Sequence, residues 1–392
     1  MQEIDGIKVW GHADEKTLDQ MRNCGKESVY RALMGDNHVG YSVPIGGVVA
    51  YLDKVSPSAV GYDIACGIKA VRTDFPGSGL RENIDYIMDE VFRIISFGVG
   101  RKNNEPVESA IFNDSAWNVD VAHSLKRLAE EQLGTVGSGN HFVDLLTDEQ
   151  DRVWIMCHFG SRGFGHKIAT HFIKAGGGKD GMFVEPVLLD VNSQLGQEYI
   201  ACMRLAGKYA YAGRDWVCQR VADILRTNIV EEVHNHHNFA WKENHFGQDM
   251  WVVRKGATPA APGQMGAIGG SMGDNAVIVK GIDGEESRLS LYSTVHGAGR
   301  VMSRTQAAGK SKFVSGKQIR VSEGQISREM MMAWLREKGV TLRGAGTDES
   351  PHAYKRLDDV LAHHANTMKI LHTLSPVGVA MAGEHEFDPF KD

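Results

Sequence analysis

No stretch of this 392-residue chain is apolar for long enough to cross a bilayer, so no membrane-spanning helix is expected. The cysteines are few: Cys24, Cys66, Cys157, Cys202 and Cys218. Their number is odd and no two stand as CxxC, so a disulfide framework is not expected. A cysteine with a function here would be a thiolate ligand or a nucleophile. Basic residues show no excess, with 43 Lys and Arg against 49 Asp and Glu and a formal net charge of −6. That balance argues against a nonspecific nucleic-acid coat, which needs clustered cations, and leaves room for a local basic groove. Met1-Gln-Glu-Ile-Asp-Gly lacks an apolar signal core, so the cytoplasm is the expected compartment. Internal repeats, low-complexity tracts and linkers are absent from the sequence.

Glycine and histidine are plentiful instead, at 45 and 17 residues, and many of the glycines cluster beside histidines. Imidazoles set among flexible loops suit metal and phosphate chemistry, although a loop-rich fold with incidental histidines would have the same composition. Apolar spacing predicts helices over 14–24, 84–95 and 121–133, and a long one over 194–229 whose Met203, Tyr209, Tyr211 and Trp216 are packing residues. Two further helices are predicted over 327–338 and 355–374. Residues 38–75 read as strands and turns, and further strands are predicted over 141–146, 153–158, 251–254, 276–279 and 289–294. The mixture has no βαβ rhythm, which makes the fold class α+β.

Four segments bear metal-ligand chemistry. Gly61-Tyr-Asp-Ile-Ala-Cys66-Gly sets a carboxylate and a thiol three residues apart in a glycine-flanked loop. Gly137-Ser-Gly-Asn-His141 opens a strand with a histidine, Cys157-His158 ends one, and His234-Asn-His-His237-Asn238 is a dense histidine cluster. Each histidine alone is better read as a hydrogen-bonded surface residue. Together, Asp63, Cys66, His141, His158 and His237 make a donor set for one or two divalent ions, with Cys66 able to bridge. Thiolate and imidazole donors by themselves would suit zinc.

Three glycine clusters read as phosphate cradles: Gly160–Gly165, Gly269–Gly273 and His296–Arg300. Arg162, Arg300 and Arg304 could add bidentate contacts. His296 follows a predicted strand and precedes a glycine turn, which presents its ring at a loop mouth. A neutral imidazole there could attack an α-phosphate; equally, it could be a fourth metal ligand or a turn residue.

The sequence resembles the RtcB family of RNA ligases along nearly its whole length. The resemblance rests on collinear motifs: Asp36-Asn-His-Val-Gly-Tyr-Ser-Val-Pro-Ile-Gly-Gly47, Val60-Gly-Tyr-Asp-Ile-Ala-Cys-Gly67, Gly137-Ser-Gly-Asn-His-Phe142 and His158-Phe-Gly-Ser-Arg-Gly163. It continues through His237-Asn238, Arg254-Lys-Gly-Ala257, Gly270-Ser-Met-Gly273, His296-Gly-Ala-Gly-Arg-Val-Met-Ser-Arg304 and Ala353-Tyr-Lys355. It implies a single large α+β domain with layered sheets over residues 1–392, ending in a short acidic tail at about 384–392. It further implies joining of an RNA 3′-phosphate or 2′,3′-cyclic phosphate to a 5′-hydroxyl, as in RNA repair or tRNA splicing, with GTP and two Mn²⁺ ions. An archease-like activator is a possible partner on the same ground.

By resemblance, His296 would carry the guanylate, Asp63, Cys66 and His141 would hold one ion, and Cys66, His158 and His237 the other. Asn140, Asn238 and the loop Gly269, Gly270, Ser271 and Met272 would contact nucleotide phosphates, with Gly297, Ala298 and Gly299 beside them. Tyr354 would stack near the base, Asp144 would be among the nucleotide-binding residues, Arg162 would contact the RNA end, and Asp36 would assist its chemistry. The sequence departs from the family at three positions, the last two of them at expected polar contacts to the base. Asp144 stands for the usual Glu, Ala276 for a Ser, and Val379-Ala-Met-Ala382-Gly383 for a terminal Lys-Gly, with Lys391 the sole nearby substitute lysine. Guanine selectivity is therefore open. The other functions weighed are a nucleotidyltransferase that caps 3′-phosphate ends, a dinuclear metallophosphoesterase, and a non-catalytic end-binding protein.

Overall fold

A computed structural model describes residues 1–179, 181–314, 317–384 and 386; Lys391 and most of the acidic tail lie outside the described residues. Two sheets organise the chain. The six-stranded sheet runs, from edge to edge, Gln2–Ile4, Ile7–Val9, Tyr30–His38, Ile45–Tyr51, Gln248–Lys255 and Asn238–His245. The eight-stranded sheet runs Ile229–His236, Gly67–Pro76, Arg152–Phe159, Phe142–Thr147, Met368–Gly383, Ala276–Gly281 and Met265–Ile268, with Thr341–Ala345 added in parallel to Met368–Gly383. The end strands of this second sheet approach each other. Asn235 Oδ1 accepts from the Ala267 amide at 2.9 Å, a side chain bridging a seam that no backbone ladder closes among the described residues.

One residue, His237, separates Ile229–His236 in the larger sheet from Asn238–His245 in the smaller. The sheets are therefore joined at a point rather than through a loop. The long helix Gln194–Leu225 packs across Gly67–Pro76 and Arg152–Phe159, its start capped by Ser193 Oγ accepting from Gly196 N at 3.0 Å. Met203 and Tyr209 are buried in its core, as their apolar spacing predicts, with Tyr199 beside them, while Tyr211 and Trp216 are half-buried. Phe164, Ile168 and Phe172 of the helix Arg162–Ala175 share that core. A second apolar cluster lies against the larger sheet and includes Ile68, Phe142, Met156, Met272, Val379 and Met381.

Most predicted elements are present, and three segments differ. Residues 355–374 form a short helix, Leu357–Ala362, and then enter the sixteen-residue strand Met368–Gly383. That strand pairs along its first half with Ala276–Gly281 and along its second with Phe142–Thr147, shifting register between Pro376 and Gly378. Two ladders of partners far away in sequence override a local helical spacing. Of residues 289–294, Leu289 ends the short helix Glu285–Leu289, Leu291 and Tyr292 turn the chain at φ 51° and 49°, and only Ser293–Val295 is extended. The Gly160–Gly165 segment is no phosphate cradle but the entry of a helix, with the Gly163 amide taken by Gln132 Oε1 and the Gly165 amide by Ser161 O. Gly160 is required for close approach: a methyl there would lie 2.1 Å from an Asp63 oxygen.

Candidate metal centre and nucleophile

The loop between Val60 and Gly67 supplies two donors. Ala65 takes a left-handed φ of 60°, which turns Cys66 inward, and the Ala65 amide donates to Asn238 O at 2.7 Å. Cys66 O in turn accepts from the His237 amide at 2.8 Å, so the loop is stitched to the junction of the two sheets. Gly67 begins its strand against the opposite chain so closely that a methyl would lie 2.1 Å from Asn235 O.

Three imidazoles converge on the Cys66 sulfur. His141 Nε2 lies 3.5 Å and His158 Nε2 3.2 Å from Sγ, while His158 Nε2 and His237 Nε2 are 3.2 Å apart. Asp63 Oδ2 lies 3.0 Å from His141 Nε2. The Nδ1–H groups of His141 and His158 donate to the carbonyls of Val136, at 2.9 Å, and Asn140, at 3.1 Å. Those bonds fix the tautomer that leaves each Nε2 lone pair facing the cluster. Asp63, Cys66 and His141 form one group of ligand atoms within 4.8 Å of one another, and Cys66, His158 and His237 a second, sharing the sulfur. Burial lowers His158 and His237 well below the usual imidazole range, keeping them neutral, and raises the Cys66 thiol. Neutral imidazoles, a carboxylate and a thiol whose proton a divalent ion would displace suit two ions bridged by sulfur.

Arg214 stands behind this cluster and was not singled out by its sequence position among the apolar residues of the long helix. Fully buried, it donates to Ala65 O at 3.1 Å and Phe159 O at 2.5 Å, and to His234 Nε2 and lies 3.0 Å from His236 Nδ1. It thus grips the chain beside Cys66, His158 and His237. The signal available in the sequence was a lone arginine on the apolar face of a helix.

His296 follows Ser293–Val295. Its Nδ1 lies 2.6 Å from Asp36 Oδ2, and the same oxygen accepts the amides of His296 at 3.0 Å and Gly297 at 3.2 Å. A register shift between Leu33 and His38 aims Asp36 at that point, and Lys355 Nζ holds the carbonyls on either side, Gly35 at 3.2 Å and Asn37 at 2.9 Å. Burial pushes the Asp36 carboxyl up, but the charge and hydrogen bonds of His296 outweigh this and keep it below the usual range. The His296 ring stands edge-on to His237, with centroids 4.8 Å apart.

One cavity of about 340 Å³ connects these groups. Its walls include Asp63, Cys66, Asn140, His141, Asp144, His158, His237, Asn238, Gly269, Gly270, Ser271, Met272, His296, Gly297, Ala298, Gly299 and Tyr354. Two expected site residues are not on its wall. Asp36, expected to assist at an RNA end, is wholly buried and can act only through His296. Arg162, expected at the RNA end, lies beneath the 137–141 loop, its Nη1 3.3 Å from His141 Nδ1 and its Nη2 where a methyl on Gly137 would fall 1.9 Å away. Asn238 spends its amide on the backbone, receiving Gly256 N at 2.7 Å and donating to Asp63 O at 3.3 Å.

Lys255, Arg300 and Arg304 bring positive charge to the wall. Burial lowers Lys255 to about 8. Arg300 covers the Tyr354 ring at 4.8 Å, and both arginines pair with the buried Glu349, at 3.3 and 2.9 Å. Glu349 was not among the expected site residues. The loops 269–272 and 296–299 are joined by a parallel bridge between Gly269 and Gly297. Asp144 projects among apolar groups, and its Oδ1 is buried without a partner among the described residues.

Comparison with known proteins finds relatives over nearly the whole chain. The family model described as "tRNA-splicing ligase RtcB" matches residues 20–382. The chain is 32% identical over 383 residues to the RNA-splicing ligase RtcB of Escherichia coli K12, covering 88% of each chain. It is 31% identical over 448 residues to the tRNA-splicing ligase RtcB of Nanoarchaeum equitans and 29% over 452 residues to that of Thermococcus kodakarensis, in both cases across 93% of this chain and 91% of the relative.

Proposed function

The chain belongs to the RtcB family, and from that premise we propose that it is an RNA ligase that joins a 3′-phosphate end to a 5′-hydroxyl through a nucleotide carried on His296. The observation that carries this reading is the Asp36–His296 pair beside two metal-ligand groups. Asp36 keeps the proton on Nδ1, so the Nε2 lone pair is the reactive edge and the charge that develops on the ring is met by a carboxylate.

Nε2 attacks the α-phosphorus of a nucleoside triphosphate, a phosphorus–nitrogen bond forms, and pyrophosphate leaves. The RNA 3′-phosphate oxygen then displaces His296 from that phosphorus. The 5′-hydroxyl attacks the activated 3′-phosphorus, a phosphodiester forms, and the nucleoside monophosphate leaves. A 2′,3′-cyclic phosphate must first be opened by water to enter the same sequence. Mn²⁺ held by Asp63, Cys66 and His141 and by Cys66, His158 and His237 would neutralise phosphate charge and orient the leaving group. Lys255, Arg300 and Arg304 add fixed positive charge, and the glycine loops 269–272 and 296–299 bring backbone amides to phosphate oxygens.

The test is to incubate the protein with Mn²⁺ and α-labelled GTP or ATP and look for acid-labile label on the protein. Label is expected on the native chain and none on His296→Ala. Adding RNA with 3′-phosphate and 5′-hydroxyl ends should give sealed product. Product stalled at a nucleotide-capped 3′-phosphate would mark a capping enzyme. No label with any nucleotide would refute the proposal.

A further inference from the structure

We propose that Trp334, which lies outside the cavity wall, is a positioning residue that holds the turn 271–274 in the shape that receives a nucleoside triphosphate. This rests on the reading of the cavity as a nucleotide site.

The turn is closed by the Asp274 amide, which donates to Ser271 O at 2.9 Å, with Gly273 at φ 84° in its third position. Glycine is the usual occupant of that position in a type II turn. The loop is tight from within, since a methyl on Gly270 would lie 2.4 Å from Asn275 O. Ser271 and Met272 line the cavity, and the amides of Ser271, Met272 and Gly273 have no acceptor among the described residues. Such amides serve an anion well only while the turn keeps its shape.

What keeps that shape comes from the helix Arg328–Lys338. Met331, Trp334 and Leu335 stand at i, i+3 and i+4, the stripe by which the helix packs inward. Trp334 packs on the apolar cluster that contains Met272. Its indole edge presses on the turn so closely that a methyl on Gly273 would fall 2.9 Å from Nε1. Nε1 is buried without an acceptor among the described residues, so contact rather than a hydrogen bond fixes this edge of the ring. The guanidinium of Arg356 lies over the ring, 4.1 Å from its centroid, and reaches Asp274 at 3.3 Å. Asp274 in turn accepts from Ser271 Oγ at 2.7 Å. The ring thus backs Gly273 directly and, through Arg356, steadies Asp274 and Ser271. His352 meets the same ring edge-on, with centroids 5.7 Å apart, two residues before Tyr354 on the cavity wall.

Without the indole, Gly273 is free to turn its peptide over, and the amides lose their common aim. The loss falls on binding, because contacts to the triphosphate are made before transfer and during it alike.

The experiment is calorimetric titration of ATP and of GTP into full-length His296→Ala protein with Mn²⁺, where binding is read without transfer, and into the same protein carrying Trp334→Leu or Trp334→Phe. Trp334→Leu should weaken nucleotide binding by about tenfold or more. Trp334→Phe, which keeps a flat ring beneath Arg356, should weaken it by about threefold or less. Mn²⁺ titrated alone should bind the three proteins within about twofold of one another. With His296 in place, Trp334→Leu should raise the nucleotide concentration for half-maximal labelling about tenfold and leave the saturated rate within about threefold. Unchanged nucleotide affinity in Trp334→Leu, equal losses in the Leu and Phe proteins, a parallel loss of Mn²⁺ affinity, or binding of neither nucleotide by the His296→Ala protein would overturn the inference. Should Trp334→Leu fail to fold, Arg356→Met decides, since it removes both the cation over the ring and the ion pair to Asp274. A loss of about threefold or more is then expected, and unchanged affinity overturns the inference. Labelling of the native chain reads the ligase proposal separately: an unlabelled chain whose nucleotide affinity still depends on Trp334 would refute the ligase reading and leave this one standing.

Discussion

A single oxygen of Asp36 accepts three hydrogen bonds, from the His296 ring and from the amides of His296 and Gly297. Replacing it with Asn, Asp36→Asn, removes the charge that fixes the ring's tautomer while keeping the shape. Transfer of nucleotide to His296 should then slow by about 10²- to 10⁴-fold, with nucleotide affinity little changed. The rate of label uptake and a separate binding titration check the two halves of this expectation. Arg214 acts one step further back, on carbonyls beside the ligands. Arg214→Met should weaken metal binding about 10- to 100-fold, measured by titration with Mn²⁺ and by the ion content of the purified protein. A purely structural role would lower the melting temperature and leave that affinity intact. At this scale the candidate ligands were legible in the sequence because Cys66, His141 and His237 each stand beside glycine or asparagine, and His158 two residues before Gly160, at or near the end of an element. Arg214 and Glu349 were not, since a charge buried by tertiary contacts looks, in one dimension, like any charge on a helix or loop.

Among the elements, the strand that delivers His296 is secured from outside itself. Arg254, almost wholly buried on Gln248–Lys255, donates to Ser293 Oγ at 2.7 Å and Leu291 O at 2.8 Å, and forks onto Glu243 at 2.7 and 2.9 Å. Arg254→Met would strand the Glu243 charge, and a loss of about 3–5 kcal/mol in urea unfolding is expected. The pH dependence has a definite sign. Burial pushes Glu243 up, but Arg254 and His245 prevail and hold it at about 2, below the usual 4.5. Its contribution is therefore complete above pH 4.5 and disappears as the pH falls toward 2, so acid unfolding should begin at higher pH once the pair is broken. Helices with clear apolar spacing, such as Glu15–Asn23, Ile84–Ile94 and Asp120–Gln132, were readable within a residue or two. The strand Met368–Gly383 was not, because its partners lie about ninety residues away at Ala276–Gly281 and over two hundred away at Phe142–Thr147.

The molecule as a whole depends on its seams. Asn235 bridges the two end strands of the larger sheet by one side-chain bond. Asn235→Ala leaves the buried Ala267 amide unpaired, and a cost of about 1–3 kcal/mol is expected, with faster hydrogen exchange confined first to Ala267 and its neighbours. Metal should act at the same scale. A cation that binds only the folded chain, present at a hundred times its dissociation constant, stabilises it by about 2.7 kcal/mol, so a chelator should lower the melting temperature and Mn²⁺ restore it. The α+β class was legible in the irregular alternation of elements. The closing of the larger sheet upon itself was not, since it hangs on an asparagine whose reach only the assembled strands define.

The two sheets meet at His237, which belongs to neither. An ion held there by His237 together with Cys66 and His158 would act as a rivet: opening the junction and letting go of the cation would become the same event. Strain at that junction would then be felt beside His296, whose ring stands edge-on to His237.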